Sequence, residues 1–408
     1  MELTLQAAGR ILNALKNGVV PDEDLEHIIV GRDKEMQEIQ RCFDIVRSGC
    51  GVVKFVSGQY GSGKSFLLNA IRQKALQQNF ITAKIQIDKG FRFNNLEHFY
   101  YHMMHNLSSK GYDRSGTSFE NIFDLWVKDL QSFEEKSKVA EEIQRVITEL
   151  NRYNASFSRA FLTYIRSRII KDNSLANAVA SWLTGEKNIP ASVKAKFEVI
   201  GNIDRVNSID FLKAFLKLVQ LLGYSGTVIL IDELELVMNE RSDIRKTSYE
   251  NIRYIIDICC SGEISGCMFV LAGTDDFFEN PEKGARAYQA LSQRMGEAID
   301  KSDTALSDIR KPVMSLKAFD RSDMKKLTEK VIDIYSMVYN IKLQITTDSL
   351  ISWTLLSCKK LGARASELNI REYLTKLLEI LDIMEQHPEN KVFRAELKTI
   401  NTRDDGSI

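Results

Sequence analysis

At 408 residues the chain is long enough for roughly two to three domains and a large core. Hydrophobic residues make up 44% and charged residues 27%, ordinary globular values that exclude fibrous and disordered classes. The 55 basic and 55 acidic residues cancel, so no global field draws nucleic acid to the chain and any such contact must come from a local patch.

Residues 2–17 read as a helix with Leu5, Ala8, Ile11, Leu12 and Leu15 on one side, stopped by Gly18 and Pro21. Ile28 to Asp33 leads into a second helix from about Lys34 to Val46. The β-branched run Val52-Val53-Lys54-Phe55-Val56 then predicts a strand. It opens onto Gly58-Gln59-Tyr60-Gly61-Ser62-Gly63-Lys64-Ser65, a complete G-x-x-x-x-G-K-[ST] sequence, and Phe66 to Leu76 follows with helical spacing. Strand, glycine-rich loop and helix are what a phosphate cradle needs. Glycines let backbone N–H groups turn inward, and the helix start favours negative charge. Lys64 is expected on the β- and γ-phosphates, and the Ser65 hydroxyl on Mg²⁺.

Residues 80–87 alternate, with Ile81, Ala83, Ile85 and Ile87 on one face, which predicts a half-exposed edge strand. A helix from about 95 to 108 follows. It carries His98, His102 and His105 on one face, a set that suits packing among Phe99, Tyr101, Met103 and Met104 better than a metal site. Residues 111–205 are polar, helix-patterned and poor in strand signals, and read as a helical insertion. Within it Arg152, Arg159 and Arg166 recur every seven residues opposite Phe157, Phe161 and Tyr164. That is either a phosphate-binding stripe or an amphipathic helix with solvated arginines.

Thr227-Val228-Ile229-Leu230-Ile231 ends in Asp232-Glu233, which reads as a fully buried central strand with carboxylates at its C-terminal edge, where open α/β sheets bind ligands. Asp232 is expected to hold Mg²⁺, and Glu233 to orient and deprotonate the attacking water. Strand signals recur at Met268 to Gly273 and at Val313 to Leu316. Strands separated by helices predict a parallel sheet covered on both faces. Three helical patterns close the chain, at about 322–339, 347–360 and 364–386, before a polar tail. The six cysteines form no C-x-x-C pair and read as reduced, mostly buried thiols. No run reaches membrane-spanning length, and Met1-Glu2-Leu3-Thr4 lacks a signal-peptide pattern, so a cytoplasmic protein with no membrane partner is expected.

Val30-Gly31-Arg32 ahead of the first strand, the two nucleotide motifs, and a small helical lid together resemble the AAA+ ATPases. The resemblance implies a three-layer α/β fold with strand order 5-1-4-3-2. It implies a discontinuous nucleotide-binding core over 1–110 and 206–318, the insertion over 111–205, a lid over 319–386 and a tail over 387–408. ATP with Mg²⁺ is implied as cofactor, bound by the loop from Gly58 to Ser65 with the following Phe66, and bordered by Gly31 and Arg32 near adenine. Thr274 matches the sensor 1 position, and Arg364, in Gly362-Ala363-Arg364-Ala365, the sensor 2 pattern. A neighbouring subunit's arginine completes such sites. Arg294 is the candidate here and Arg286 the rival, which implies a homo-oligomer.

Ala8, Arg10-Ile11, Ala14-Leu15, Gly18 and Pro21 narrow the resemblance, together with Asp232-Glu233-Leu234-Glu235 and the run from Ser248 to Asp257. They look like the ATP-binding proteins of BREX-type phage-defence systems. That likeness implies an ATP-driven role beside a helicase or another defence protein, with DNA contacted directly or through the partner. Only about twenty residues follow the expected lid, too few for a winged-helix DNA-binding domain. Two rivals stand beside an ATPase that remodels or loads a partner: a nucleotide-dependent switch with little turnover that recruits a helicase or nuclease, and a STAND-like signalling NTPase.

Overall fold

The structure is a computed structural model that describes residues 3–88, 90–111, 119–132, 135–296, 308–341, 345–359 and 369–387. Helices α1 (Leu5–Lys16) and α2 (Asp33–Arg47) precede strand β1 (Gly51–Ser57), helix α3 (Lys64–Gln77) and strand β2 (Ile81–Gln86). Helix α4 (Leu96–His105) and the two-residue β3 (Leu107–Ser108) follow. Five helices then fill the region read as an insertion: α5 (Phe119–Ser132), α6 (Lys136–Asn151), α7 (Ala155–Ile169), α8 (Asn173–Leu183) and the short α9 (Ala191–Lys194). Helix α10 (Ser208–Leu221) leads into β4 (Thr227–Asp232), α11 (Ser242–Cys260) and β5 (Cys267–Gly273). The chain continues through α12 (Asp275–Glu279), α13 (Gln289–Met295) and β6 (Val313–Ser315) to α14 (Arg321–Tyr339), α15 (Thr347–Lys359) and α16 (Ile370–Gln386).

The described chain divides into two compact units. The larger comprises 37–57 and 74–315 and contains the whole sheet, in the order β3-β2-β4-β5-β1-β6. All pairings are parallel except β2 with β3. Every residue of β4 and β5 is buried, as uninterrupted apolar runs in the middle of a parallel sheet require. The registers Ile231↔Leu271 and Ser57↔Gly273 bring the C-terminal ends of β4, β5 and β1 out at one edge. One apolar cluster runs from this sheet into the helices of 119–197 and joins Phe99, Phe123, Phe161, Trp182 and Phe215.

The edge reading of β2 needs correction. Leu107–Ser108 pairs antiparallel with Thr82 and Ala83, and Thr82, expected on the open face, is fully buried. The helix expected to reach 108 ends at His105, because Asn106 caps it and the next two residues extend into that short strand. Among the cysteines, Cys42, Cys259, Cys267 and Cys358 are buried as expected, while Cys50 and Cys260 are exposed.

The smaller unit comprises the described residues of 1–36, 58–73 and 316–408. Here α1, with Thr4 capping its N-terminus, buries Ala8, Ile11, Leu12 and Leu15 against Leu327, Val331, Leu377, Leu378 and Leu381 of α14 and α16. Asp320 and Asp323 form a reciprocal capping box that starts α14. Asn369 caps α16 by accepting from Arg371 N. Among the described residues no helix is long and apolar enough to cross a membrane.

Candidate functional site

The expected phosphate loop leaves the sheet directly after Ser57 and lies in the smaller unit. Gly61 and Gly63 have φ of +79° and +91°, conformations that L side chains rarely adopt. A Cβ on Gly61 would lie 2.4 Å from Asn369 Oδ1, so the cap of α16 seats against the loop apex. Lys64 is only 8% exposed, and its Nζ donates to the carbonyls of Gly58 (3.0 Å) and Gln59 (3.1 Å), folding the ammonium back over its own loop. Ser65 and Phe66 occupy the first turn of α3, with Phe66 packed against the smaller unit's core. Tyr60 is 69% exposed at the loop tip.

Gly31 and Arg32, expected only to border adenine, make a more specific arrangement. Gly31 has φ +64°, and a Cβ there would meet the Asp323 carboxylate at 2.8 Å. Arg32 is buried, and its Nη2 donates to the Ser62 carbonyl at 2.8 Å while Nη1 donates to the Lys317 carbonyl at 3.1 Å. The guanidinium sits 5.0 Å from the Phe319 ring centroid and 3.7 Å from Glu35. Burial pushes its pKa down, and the charges of Glu35 and Asp323 oppose that shift. No sequence pattern could have shown this, because the guanidinium's acceptors are main-chain carbonyls.

The expected acidic half lies in the larger unit. Asp232 is 5% exposed at the end of β4, and its Oδ1 accepts from Glu233 N at 3.0 Å. Glu233 sits in the left-handed region, φ 64° and ψ 40°, a strained conformation for a residue with a Cβ. Two residues on, Glu235 Oε2 accepts from Thr274 N at 3.1 Å, so the third acid of the Asp232-Glu233-Leu234-Glu235 run fixes the backbone of the expected sensor residue. Thr274 itself starts α12 directly after β5. Ser57 Oγ donates to Asp275 Oδ1 at 2.5 Å across the same sheet edge. The signal for Glu235 and Asp275 was present in the sequence, since both stand one or two residues beyond an expected site position.

Arg294, the candidate for action in trans, is held within its own chain. Its Nε and Nη2 donate to the two Asp257 oxygens, at 2.5 and 3.1 Å, and Nη1 to the Ala290 carbonyl at 2.8 Å. The bond to Asp257 raises its pKa further. Arg253 shares the same carboxylate at 3.1 Å. The rival, Arg286, lies in a short turn before α13. Arg364 and the expected tail from 388 onward lie outside the described residues.

Among the described residues no group of three or more His, Cys, Asp or Glu side chains is placed to hold a metal. Two of the three histidines of α4 engage aromatic neighbours. His102 meets Phe91 edge-on, and His105 stacks on Tyr101 with centroids 4.0 Å apart. In the insertion, Arg152 pairs with Glu149 and Arg159 donates to the Glu198 carbonyl at 3.0 Å.

A family model described as BREX system ATP-binding protein BrxC/D matches residues 4–399. No curated protein matches the chain.

Proposed function

From the chain's membership of the BREX system ATP-binding protein BrxC/D family, we propose that it hydrolyses ATP as an AAA+ protein and couples turnover to remodelling or loading a DNA-associated partner in phage defence. The observations that carry the reading are, within the larger unit, the C-terminal ends of β1 and β4 at one edge of the sheet, with Asp232 closing β4, and, in the sequence, the G-x-x-x-x-G-K-[ST] run that follows β1. Strand order supports it as well. With the two-residue β3 set aside, the five remaining strands run fifth, first, fourth, third, second across the sheet.

In this reading Gly58 to Phe66 bind the phosphates and Lys64 turns from its own carbonyls to the β- and γ-oxygens. Asp232 and Ser65 hold Mg²⁺, and Glu233 activates water. Thr274, positioned by Glu235, senses the γ-phosphate together with Arg364. Gly31 and Arg32 flank the adenine side. The core, insertion and lid keep the boundaries expected from the sequence, and the protein works as a cytoplasmic homo-oligomer with a helicase or another defence protein. Arg294 acts in trans, presented by Asp257.

A second reading, a nucleotide-dependent switch or scaffold with little turnover, is favoured by one observation. Arg294 spends its fork on Asp257 of its own chain rather than presenting it free. Steady-state hydrolysis across protein concentration, with and without duplex DNA, separates the two. Turnover per subunit that rises with concentration and vanishes in Glu233→Gln while ATP binding persists is the expected result. Flat, near-zero turnover with ATP bound would leave the switch.

A further inference from the structure

We propose that Arg32 is a positioning residue for the phosphate loop: its guanidinium ties the Ser62 peptide to the backbone that opens the C-terminal helices, and the loop's phosphate-ready shape depends on that tie. The inference deepens the ATP-binding reading above and rests on it.

The argument begins with burial. A guanidinium that is 4% exposed is costly to desolvate unless its N–H groups find acceptors. Arg32 finds them on two backbone segments far apart in the chain, Ser62 in the loop (2.8 Å) and Lys317 ahead of α14 (3.1 Å). Glu35 lies 3.7 Å from Nη1, and the Phe319 ring lies against the group, so both the charge and the plane of the fork are constrained. A lysine ammonium cannot span two acceptors in a fixed plane in this way.

The consequence for the loop follows from peptide geometry. In a trans peptide the C=O and the next N–H point in opposite directions. Holding the Ser62 carbonyl toward Arg32 therefore turns the Gly63 N–H away from it. Gly63 tolerates this at φ +91°, and even a Cβ there would clear Arg32 Nη2 at 3.9 Å. The loop amides that meet phosphate oxygens are those turned outward from the protein scaffold. The Arg32 guanidinium thus acts on nucleotide through Ser62 and Gly63, without touching it. The bond to Lys317 ties the same guanidinium to the lead-in of α14, so loop and lid helices share one cation.

The test compares wild type, Arg32→Lys and Arg32→Ala in the full chain, with two readouts. The first is equilibrium binding of ATP and of ADP. Losing two charge-assisted hydrogen bonds predicts affinity weaker by roughly 10- to 100-fold in Arg32→Ala, equally for both nucleotides, with Arg32→Lys in between. The second is amide hydrogen exchange without nucleotide. Residues 58–66 should exchange faster in both variants, while α14 and α16 keep wild-type protection. A loss confined to ATP would put the guanidinium on the γ-phosphate and overturn the positioning role. Wild-type affinity together with wild-type loop exchange in Arg32→Lys would overturn it too, and decides the matter if Arg32→Ala does not fold. A wild-type protein that binds neither nucleotide would instead sink the ATP-binding reading, and the exchange measurement would still judge the tie.

Discussion

Glu233 carries the heaviest chemical assignment in the chain on one of its few strained backbones, and the two properties can be separated. At φ 64° and ψ 40° a residue with a Cβ is disfavoured by about 1–2 kcal/mol. Glycine escapes that cost but loses about 0.5–1 kcal/mol to its freer unfolded chain relative to alanine. The net expectation at this position is that Glu233→Gly is more stable than Glu233→Ala by about 0.5–1 kcal/mol, the reverse of the usual order in helices and strands. For a unit of this size that is about 1–4 °C in unfolding midpoint, readable by calorimetry of the nucleotide-free variants. Glu233→Gln keeps the strain and should melt with the wild type. All three variants should bind ATP without turning it over. If Glu233→Ala proves as stable as Glu233→Gly, the left-handed backbone at Glu233 is not a store of strain, and the reasoning fails.

Three further outcomes are expected. Lys54 is buried beside Glu38 at 2.8 Å and donates to the carbonyls of Arg310 and Lys311. Lys54→Met should cost up to about 3 kcal/mol in urea unfolding by leaving the buried Glu38 with only the exposed Arg41, 3.4 Å away, to offset its charge, and adding Glu38→Leu should recover most of it. Gly61→Ala places a methyl in a left-handed conformation against Asn369, so ATP affinity should drop at least about tenfold in a titration. Combining it with Asn369→Gly should restore only part, since the backbone cost persists. His102 has its pKa lowered from 6.5, chiefly by burial and then by the neighbouring His98. The unfolded chain therefore binds its proton first, and stability falls as pH drops through 6.5 toward the folded value. In His102→Phe that segment of the stability-versus-pH curve should flatten, and an unchanged slope would assign it to other groups.

The strands and turns behind the expected site were legible because their physics is local. The loop from Gly58 to Ser65 announces itself by glycines where the backbone must turn, and β4 by five apolar residues ahead of two acids. Less legible was whatever depends on main-chain partners. Arg32 meets the Ser62 and Lys317 carbonyls, and Glu235 meets the Thr274 amide, acceptors and donors that every residue type offers alike. The alternation at Ile81 to Ile87 marked one buried face correctly but could not show that Leu107–Ser108 would pair along the strand's edge or that Thr82 on the other face would be buried. Periodicity put Arg152, Arg159 and Arg166 on one helix, but Arg152 caps α6 and only Arg159 and Arg166 lie on α7, and the contacts of Arg152 with Glu149 and of Arg159 with the Glu198 carbonyl are invisible to it.

The smaller unit is assembled from three stretches of chain that synthesis delivers at very different times. The apolar face of α1 leaves the ribosome well before the residues of α14 and α16 that cover it. At ordinary elongation rates of about 5–20 residues per second, the roughly 300 residues in between take about 15–60 seconds to appear. Throughout that interval Ile11, Leu12 and Leu15 have no native partner from the C-terminal helices, while the sheet of the other unit can already form. A newborn chain can therefore form the sheet of the larger unit before the smaller unit has all its parts, and a ribosome that stalls ahead of α14 leaves the apolar face of α1 uncovered.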